Sequence, residues 1–296
     1  MGRKIRISKS RILFQVFNYT ILVILTLACL LPMVHVLALS FSSSAAASSG
    51  KVGLLPVDFT TDSYGYVAAK HEFWRATLVS VKRVLLGMPL QMLMTVLIAY
   101  PLSREATSFK SRNIYTWFFI ITMLFNGGLI PTYMVIQSVG LIDSIWALIV
   151  PGMVPVFHII LLLNFFRSIP RSIEEAAFID GAGHVRTLFQ IYMPLSKPAL
   201  ATLILFCAVN HWNAWFDGLI YMNKTENYPL QSYLQTVIVQ RDMAEITTAD
   251  MFSLKNISDR TNKAAQIFLA VIPILCIYPF LQKYFTTGIV LGSVKG

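Results

Sequence analysis

The stretch "SIEEAAFIDGAGHVRTLFQIYMPLSKP", Ser172 to Pro198, decides how this chain is read. It holds paired acids, a Gly-Ala-Gly break, basic residues and two prolines. Apolar runs flank it on both sides, each long enough for the roughly 20 residues a helix needs to cross a bilayer. A polar helix held between two such runs asks what touches it.

The 296 residues are 56% hydrophobic and only 13% charged, with a mean hydropathy of +0.64. A soluble domain carries roughly a quarter charged residues. The composition is therefore that of an all-α integral membrane protein. Charge-poor runs place six transmembrane helices at about 12–41, 84–103, 114–137, 144–166, 198–221 and 264–282. They lack two-residue alternation and are too long for barrel strands. Residues 1–11 form an N-terminal tail and 12–296 the transmembrane domain. Ala45-Ala46-Ala47 offers a small-residue cleavage site, but the apolar run before it is about twice the usual signal length, so it reads as a retained first helix. "SSSAAASSG" reads as a flexible spacer. Cys29, Cys207 and Cys276 lie in apolar runs without CxxC spacing and read as small buried hydrophobes, not as a disulfide or zinc framework.

The net charge of +10 is a matter of sidedness. With the N-terminus cytoplasmic, 14 of the 24 basic residues and four of the 14 acids fall on that side, which accounts for the whole excess. No nucleic-acid partner is needed to explain it. Both termini and the loop 167–197 are then cytoplasmic, and the loop 223–263 is external. A connection of that length is more often functional than a plain linker, and its "YPLQSYLQTVIVQ" stretch predicts a folded excursion.

Within the opening stretch, Ser172 and Glu175 have capping-box spacing. Glu174 and Glu175 sit where the helix dipole favours acids. Gly181 and Gly183 permit a sharp stop. A second short piece follows with Leu188, Ile191 and Met193, bracketed by Pro194 and Pro198. On local pattern alone two readings stand: an interfacial connector, or a compact knob for a partner protein.

The order Glu175-Ala176-Ala177, Gly181, Ile191, Pro194 resembles the EAA motif of binding-protein-dependent ABC importer permeases, with Met193 where that family usually has Leu. The resemblance implies the type I importer permease fold, with a cytoplasmic coupling helix between the fourth and fifth spans. It implies that Glu174, Glu175, Ala176, Ala177, Asp180, Gly181, Ile191 and Pro194 meet an ATPase subunit. It also implies a second homologous permease in a heterodimer, two ABC ATPase subunits, and an extracytoplasmic solute-binding protein in a bacterial inner membrane. No cofactor is expected in this chain. ATP and Mg belong to the partner ATPases, in keeping with a sequence that has no GxxxxGK[ST] loop. "GGLIPTY", "GLIDSIWALIVPG" and "YFTTGIVLGSVKG" resemble the subgroup that imports di- and oligosaccharides from cell-wall polysaccharides, some of them uronate-containing. A non-sugar solute is the alternative within the family. An ion-coupled transporter is the alternative outside it, and would need buried coupling charges and an internal repeat.

A sugar path needs polar groups hidden from lipid. Asn210, Trp212, Asn213 and Asp217 on the fifth helix, with Asn126 on the third, are the candidates. Asn210, Asn213 and Asp217 are three and four residues apart and would share one helical face. The competing role is interhelical hydrogen bonding beneath an aromatic belt, which suits Trp215. Gly127-Gly128 predicts close helix packing, and His158 an interhelical hydrogen bond. Pro273 and Pro279 predict a bend in the sixth helix.

Overall fold

The computed structural model describes residues 9–105, 107–237 and 260–279. The expectations for most of the 223–263 loop and for the C-terminal "YFTTGIVLGSVKG" lie outside the described residues. No strand occurs among the described residues. The chain divides into two compact units, residues 1–70 with 241–271 and residues 71–240 with 272–296.

In the first unit, α1 (Lys9–Ser40) is a 32-residue apolar helix whose side chains face outward along most of its length. An apolar helix that buries so little of itself is built to face lipid. The serine- and alanine-rich stretch after it is not a spacer. It forms α2 (Ser44–Ser48), whose first turn is capped by Ser43 Oγ accepting from Ala46 N–H at 3.2 Å. Ala46 and Ala47 are buried beside Ala38 and Val52. Composition misled here because small residues that suit a linker also suit a tight packing site. Phe41 stacks on Phe59 and meets the tilted ring of Tyr64 in α3 (Asp62–Ala69), and Ser40 Oγ meets the Tyr64 hydroxyl at 2.8 Å.

The second unit is organised on α4 (His71–Ser103). This helix begins thirteen residues before the second span expected from charge-free runs. Arg75, Lys82 and Arg83 had ended that run, but Arg83 is buried and neutralised by Asp217, so its charge does not end the helix. The third span, expected unbroken, is two helices, α5 (Arg112–Leu124) and α6 (Leu129–Ser138), set at 114°. Gly128 at the break has φ of 86°, a conformation open to glycine and costly for other residues. A Cβ there would meet nothing within 4 Å, so the glycine serves backbone conformation and not close packing. The fourth span is α7 (Ile145–Ile149), a 3-10 turn at Val150–Gly152, and α8 (Val156–Ser168), bent by 46°. The Gly152 carbonyl freed at that bend accepts from the buried Gln91 side chain at 2.9 Å.

Next come α9 (Arg171–Ile179), α10 (His184–Leu195) and α11 (Lys197–Asn213), with an 83° turn at Ser196. Then follow α12 (Phe216–Tyr221) and α13 (Leu230–Gln235); α14 (Arg260–Pro279) belongs to the first unit up to Val271 and to the second from Ile272. Among the described residues, three helices are long and apolar enough to cross a membrane singly, and there are up to six spans if each of three bent pairs counts as one. The core fills where α4, α8, α10 and α11 meet. Ile159, Leu162, Leu163 and Phe166 recur at helical spacing and present one face to Val96, Ala99 and Tyr100. Of the three cysteines only Cys207 is buried. Its sulfur lies 3.5 Å from His158 Nδ1, the interhelical contact expected for that histidine.

Candidate functional site

The polar helix α9 starts at Arg171, directly after Pro170. Its Ile173 N–H bonds to the Pro170 carbonyl at 3.2 Å, and no side chain caps it. The Ser172–Glu175 capping box therefore does not form. Ser172 lies inside the first turn, because the helix enters at Pro170, two residues before the expected cap. The stop is as expected at Gly181, and only there. Gly181 has φ of 77°, its N–H bonds to Phe178 O at 3.0 Å, and Ala182 N–H bonds to Ala177 O at 2.9 Å. This is a Schellman closure. Gly183 is extended and opens α10.

The two glutamates, alike in sequence, part in the structure. Glu174 turns inward, pairs with Arg104 at the end of α4, and accepts the Tyr192 hydroxyl at 2.9 Å. The Arg104 guanidinium lies between the Tyr100 and Tyr192 rings, 4.3 and 4.5 Å from their centroids. Arg171 adds a more exposed pair with Glu105. Glu175 faces outward at the rim of the cavity that Arg104 and Glu174 line. Ala176, Asp180 and Gly181 are also exposed, and Ala177 is buried. In α10 a π-type stretch, Leu188–Tyr192, buries its first and last residues. Ile191 packs against the core, and Pro194 is exposed.

So α9 is a short helix tied by its inner acid to the end of α4. Its outer surface shows small residues beside Ile179 at 85% exposure, and Val185 of α10 is 72% exposed. The sequence reading missed Arg104, Tyr100 and Tyr192. An arginine just past an apolar run reads only as a boundary charge, and its partner is 70 residues away.

The pathway candidates do not assemble as expected. α11 ends at Asn213, and Asp217 belongs to α12 after a break at Ala214 and Trp215, so the shared face of Asn210, Asn213 and Asp217 is lost. Asn210 and Asn213 are exposed, while Trp212 is buried and lines an apolar cavity with Val81, Leu85 and Leu205. Asn126 Oδ1 accepts Gly128 N–H at 2.8 Å, supporting the break in the third span. Asp217 forms a forked pair with Arg83, one arm at 3.1 Å. Arg83 also donates to Leu148 O at 3.2 Å and Ala214 O at 3.4 Å, linking the second, fourth and fifth spans. The spans therefore hold a buried cation as well as the carboxylate. Charge-free counting had placed Arg83 outside the membrane.

A family model described as the inner membrane component of binding-protein-dependent transport systems matches residues 63–290. The polygalacturonan/rhamnogalacturonan transport system permease protein YtcP of Bacillus subtilis is 39% identical, over 96% of this chain and 99% of its own. Protein LplC of the same organism is 38% identical, over 98% of this chain and 97% of its own. Among solved structures, one chain of a bacterial ABC transporter involved in import of the acidic polysaccharide alginate superposes with a TM-score of 0.83. It is 34% identical, over 94% of this chain and 99% of that one.

Proposed function

Because this chain belongs to the family of inner membrane components of binding-protein-dependent transport systems, we propose that it is the permease subunit of an ATP-driven importer of acidic oligosaccharides. The observation that carries the substrate class is the relative named for polygalacturonan and rhamnogalacturonan transport, matched across almost the whole of both chains. The transporter matched in structure is likewise one for an acidic polysaccharide, alginate. An unpaired Asp217 carboxylate facing the path would repel an acidic sugar. The Arg83 fork removes that objection, since the carboxylate is neutralised where it stands.

In this reading the chain is not itself an enzyme. ATP and Mg are bound by two partner ATPase subunits, and a second permease completes the membrane path. An extracytoplasmic binding protein delivers the sugar. The assembly lies in a bacterial cytoplasmic membrane, with both termini and α9 on the cytoplasmic side. There the exposed face of α9, with Glu175, Ala176, Asp180 and Gly181, sits in a cleft of one ATPase. Ile191 and Pro194 fix the angle at which α10 turns into the fifth span. Movement of the cleft is passed to α4 through the Arg104–Glu174 pair and to α11 through α10.

The test is uptake by the whole transporter in proteoliposomes, with binding protein loaded with an oligogalacturonide or with its neutral counterpart. Uptake of the acidic sugar that requires ATP is the expected result. Uptake that persists without ATP and follows an ion gradient would sink the reading. Uptake of the neutral sugar alone would sink the substrate class and leave the permease role standing.

A further inference from the structure

A cavity of about 500 Å³ lies where α9 meets the ends of α4, α5 and α8. Four arginines and three glutamates line it. Arg104 and Arg171 are matched by Glu174 and Glu105. Arg112 and Arg167 are not matched by any carboxylate among the described residues. Arg112 donates only to neutral oxygens, the Arg104 carbonyl at 2.9 Å and Asn113 Oδ1 at 3.1 and 3.3 Å. Arg167 donates to the Leu102 carbonyl at 3.2 Å. The third acid, Glu175, stands exposed at the rim. The buried Arg104 side chain, 9% exposed, keeps an Nε–H with no acceptor. A half-buried site with two unmatched guanidiniums and a spare buried donor is set for an anion with several acceptor oxygens.

What surrounds the cavity narrows the anion. Arg112 is the first residue of α5, and Ile114, Trp117, Phe118 and Ile121 after it are each at least half exposed. In a spanning helix such a face lies against acyl chains, with aromatic residues near headgroup level. Arg112 stands at the head of that apolar track, at the end of a spanning helix, where lipid phosphates lie. Basic pockets between spans are recurrent binding places for acidic headgroups.

We propose that this cavity binds the phosphate of an anionic phospholipid, held by Arg112 and Arg167 with the acyl chains along α5. The site is one hydrogen bond from the seat of α9, because Arg112 also holds the Arg104 carbonyl. A bound phosphate would fix Arg112 and so stiffen the Arg104–Glu174 junction.

The test uses the complete transporter, purified from nanodiscs of phosphatidylcholine with or without phosphatidylglycerol, and counts retained lipid by native mass spectrometry. Wild type is expected to hold phosphatidylglycerol. Arg112→Gln with Arg167→Gln should weaken that retention on the order of tenfold or more, two charge-assisted bonds being lost. Ser108→Trp, which fills the cavity wall and leaves the arginines in place, should do the same and covers the case in which the double variant fails to fold. Equal retention in wild type and Ser108→Trp would overturn the proposal. Displacement of the lipid by millimolar inorganic phosphate would reassign the site to free phosphate and overturn the lipid source. Cross-linking of Arg112 to a partner subunit, with no lipid retained, would overturn it as well.

Discussion

Glu174 and Glu175 are adjacent in sequence and opposite in consequence. Glu174 anchors α9 to α4 through a charge pair with little exposure, 9% and 17% for its two side chains. Removing one partner of such a pair leaves the other desolvated. Glu174→Gln should destabilise the α9 junction by about 2–4 kcal/mol, read as lost hydrogen-exchange protection in α9. Glu175→Gln should leave that protection within about 0.5 kcal/mol. If it nonetheless lowers ATP-coupled uptake, the ATPase reads the acid itself and not just the helix. At the other charge pair, Arg83→Met strands Asp217 and should cost about 2–4 kcal/mol, and adding Asp217→Leu should recover most of it. Equal melting temperatures for the Arg83→Met single and double variants would contradict that account. Asp143, between α6 and α7, accepts from the Asn227 amide at 2.9 Å and from the N–H groups of Asn223 and Lys224, both at 3.3 Å. The Asn227 hydrogen bond above all holds its carboxyl below the usual 3.8. A lowered folded value favours the charged form in the fold. The stabilisation is therefore complete above the unfolded value and is lost as pH falls through the lower folded one. Exchange protection of Asn223 and Lys224, corrected for intrinsic rates, should hold from pH 7 to about 4 and fail below it. Loss between pH 7 and 5 would be incompatible with this clamp.

At the scale of elements, the ends of α9 explain which parts of the motif are conformational. Gly181 has open space around its α-carbon and is constrained by φ alone. Gly181→Ala should loosen the end of α9 by about 1 kcal/mol, and Gly183→Ala should change little. Equal effects would mean that both glycines serve packing. The stop at Gly181 was legible because a glycine after a run of helix formers has one dominant use. The start was not legible. Ser172 and Glu175 fit a capping box, but Pro170 begins the turn first, and which of two valid local signals wins depends on the approach from α8. The breaks in the third and fourth spans were hidden for a similar reason. Apolar composition records that a segment is in lipid and says nothing of where its backbone turns, and the groups that satisfy the turns, Asn126 and Gln91, look like ordinary polar residues.

For the whole molecule, composition and charge-poor runs were enough for the membrane class and for six spans, and the spacing from Glu175 to Pro194 was enough for the family. Neither Arg83, which joins spans, nor Arg104, which ties α9 to α4, was legible in that role. Each lies at the edge of an apolar run, and its partner is remote in sequence. In the proposed function α9 carries force between an ATPase and the spans. Gly181→Arg tests it most directly, since it adds bulk and charge at the exposed closure of α9, away from any substrate group. The measurement is ATP-dependent sugar uptake by the complete transporter in proteoliposomes, alongside ATP hydrolysis stimulated by loaded binding protein. The variant is expected to assemble, the binding protein to keep its affinity for the sugar, and both uptake and stimulation to be lost. An assembled Gly181→Arg transporter with wild-type ATP-coupled uptake would contradict it.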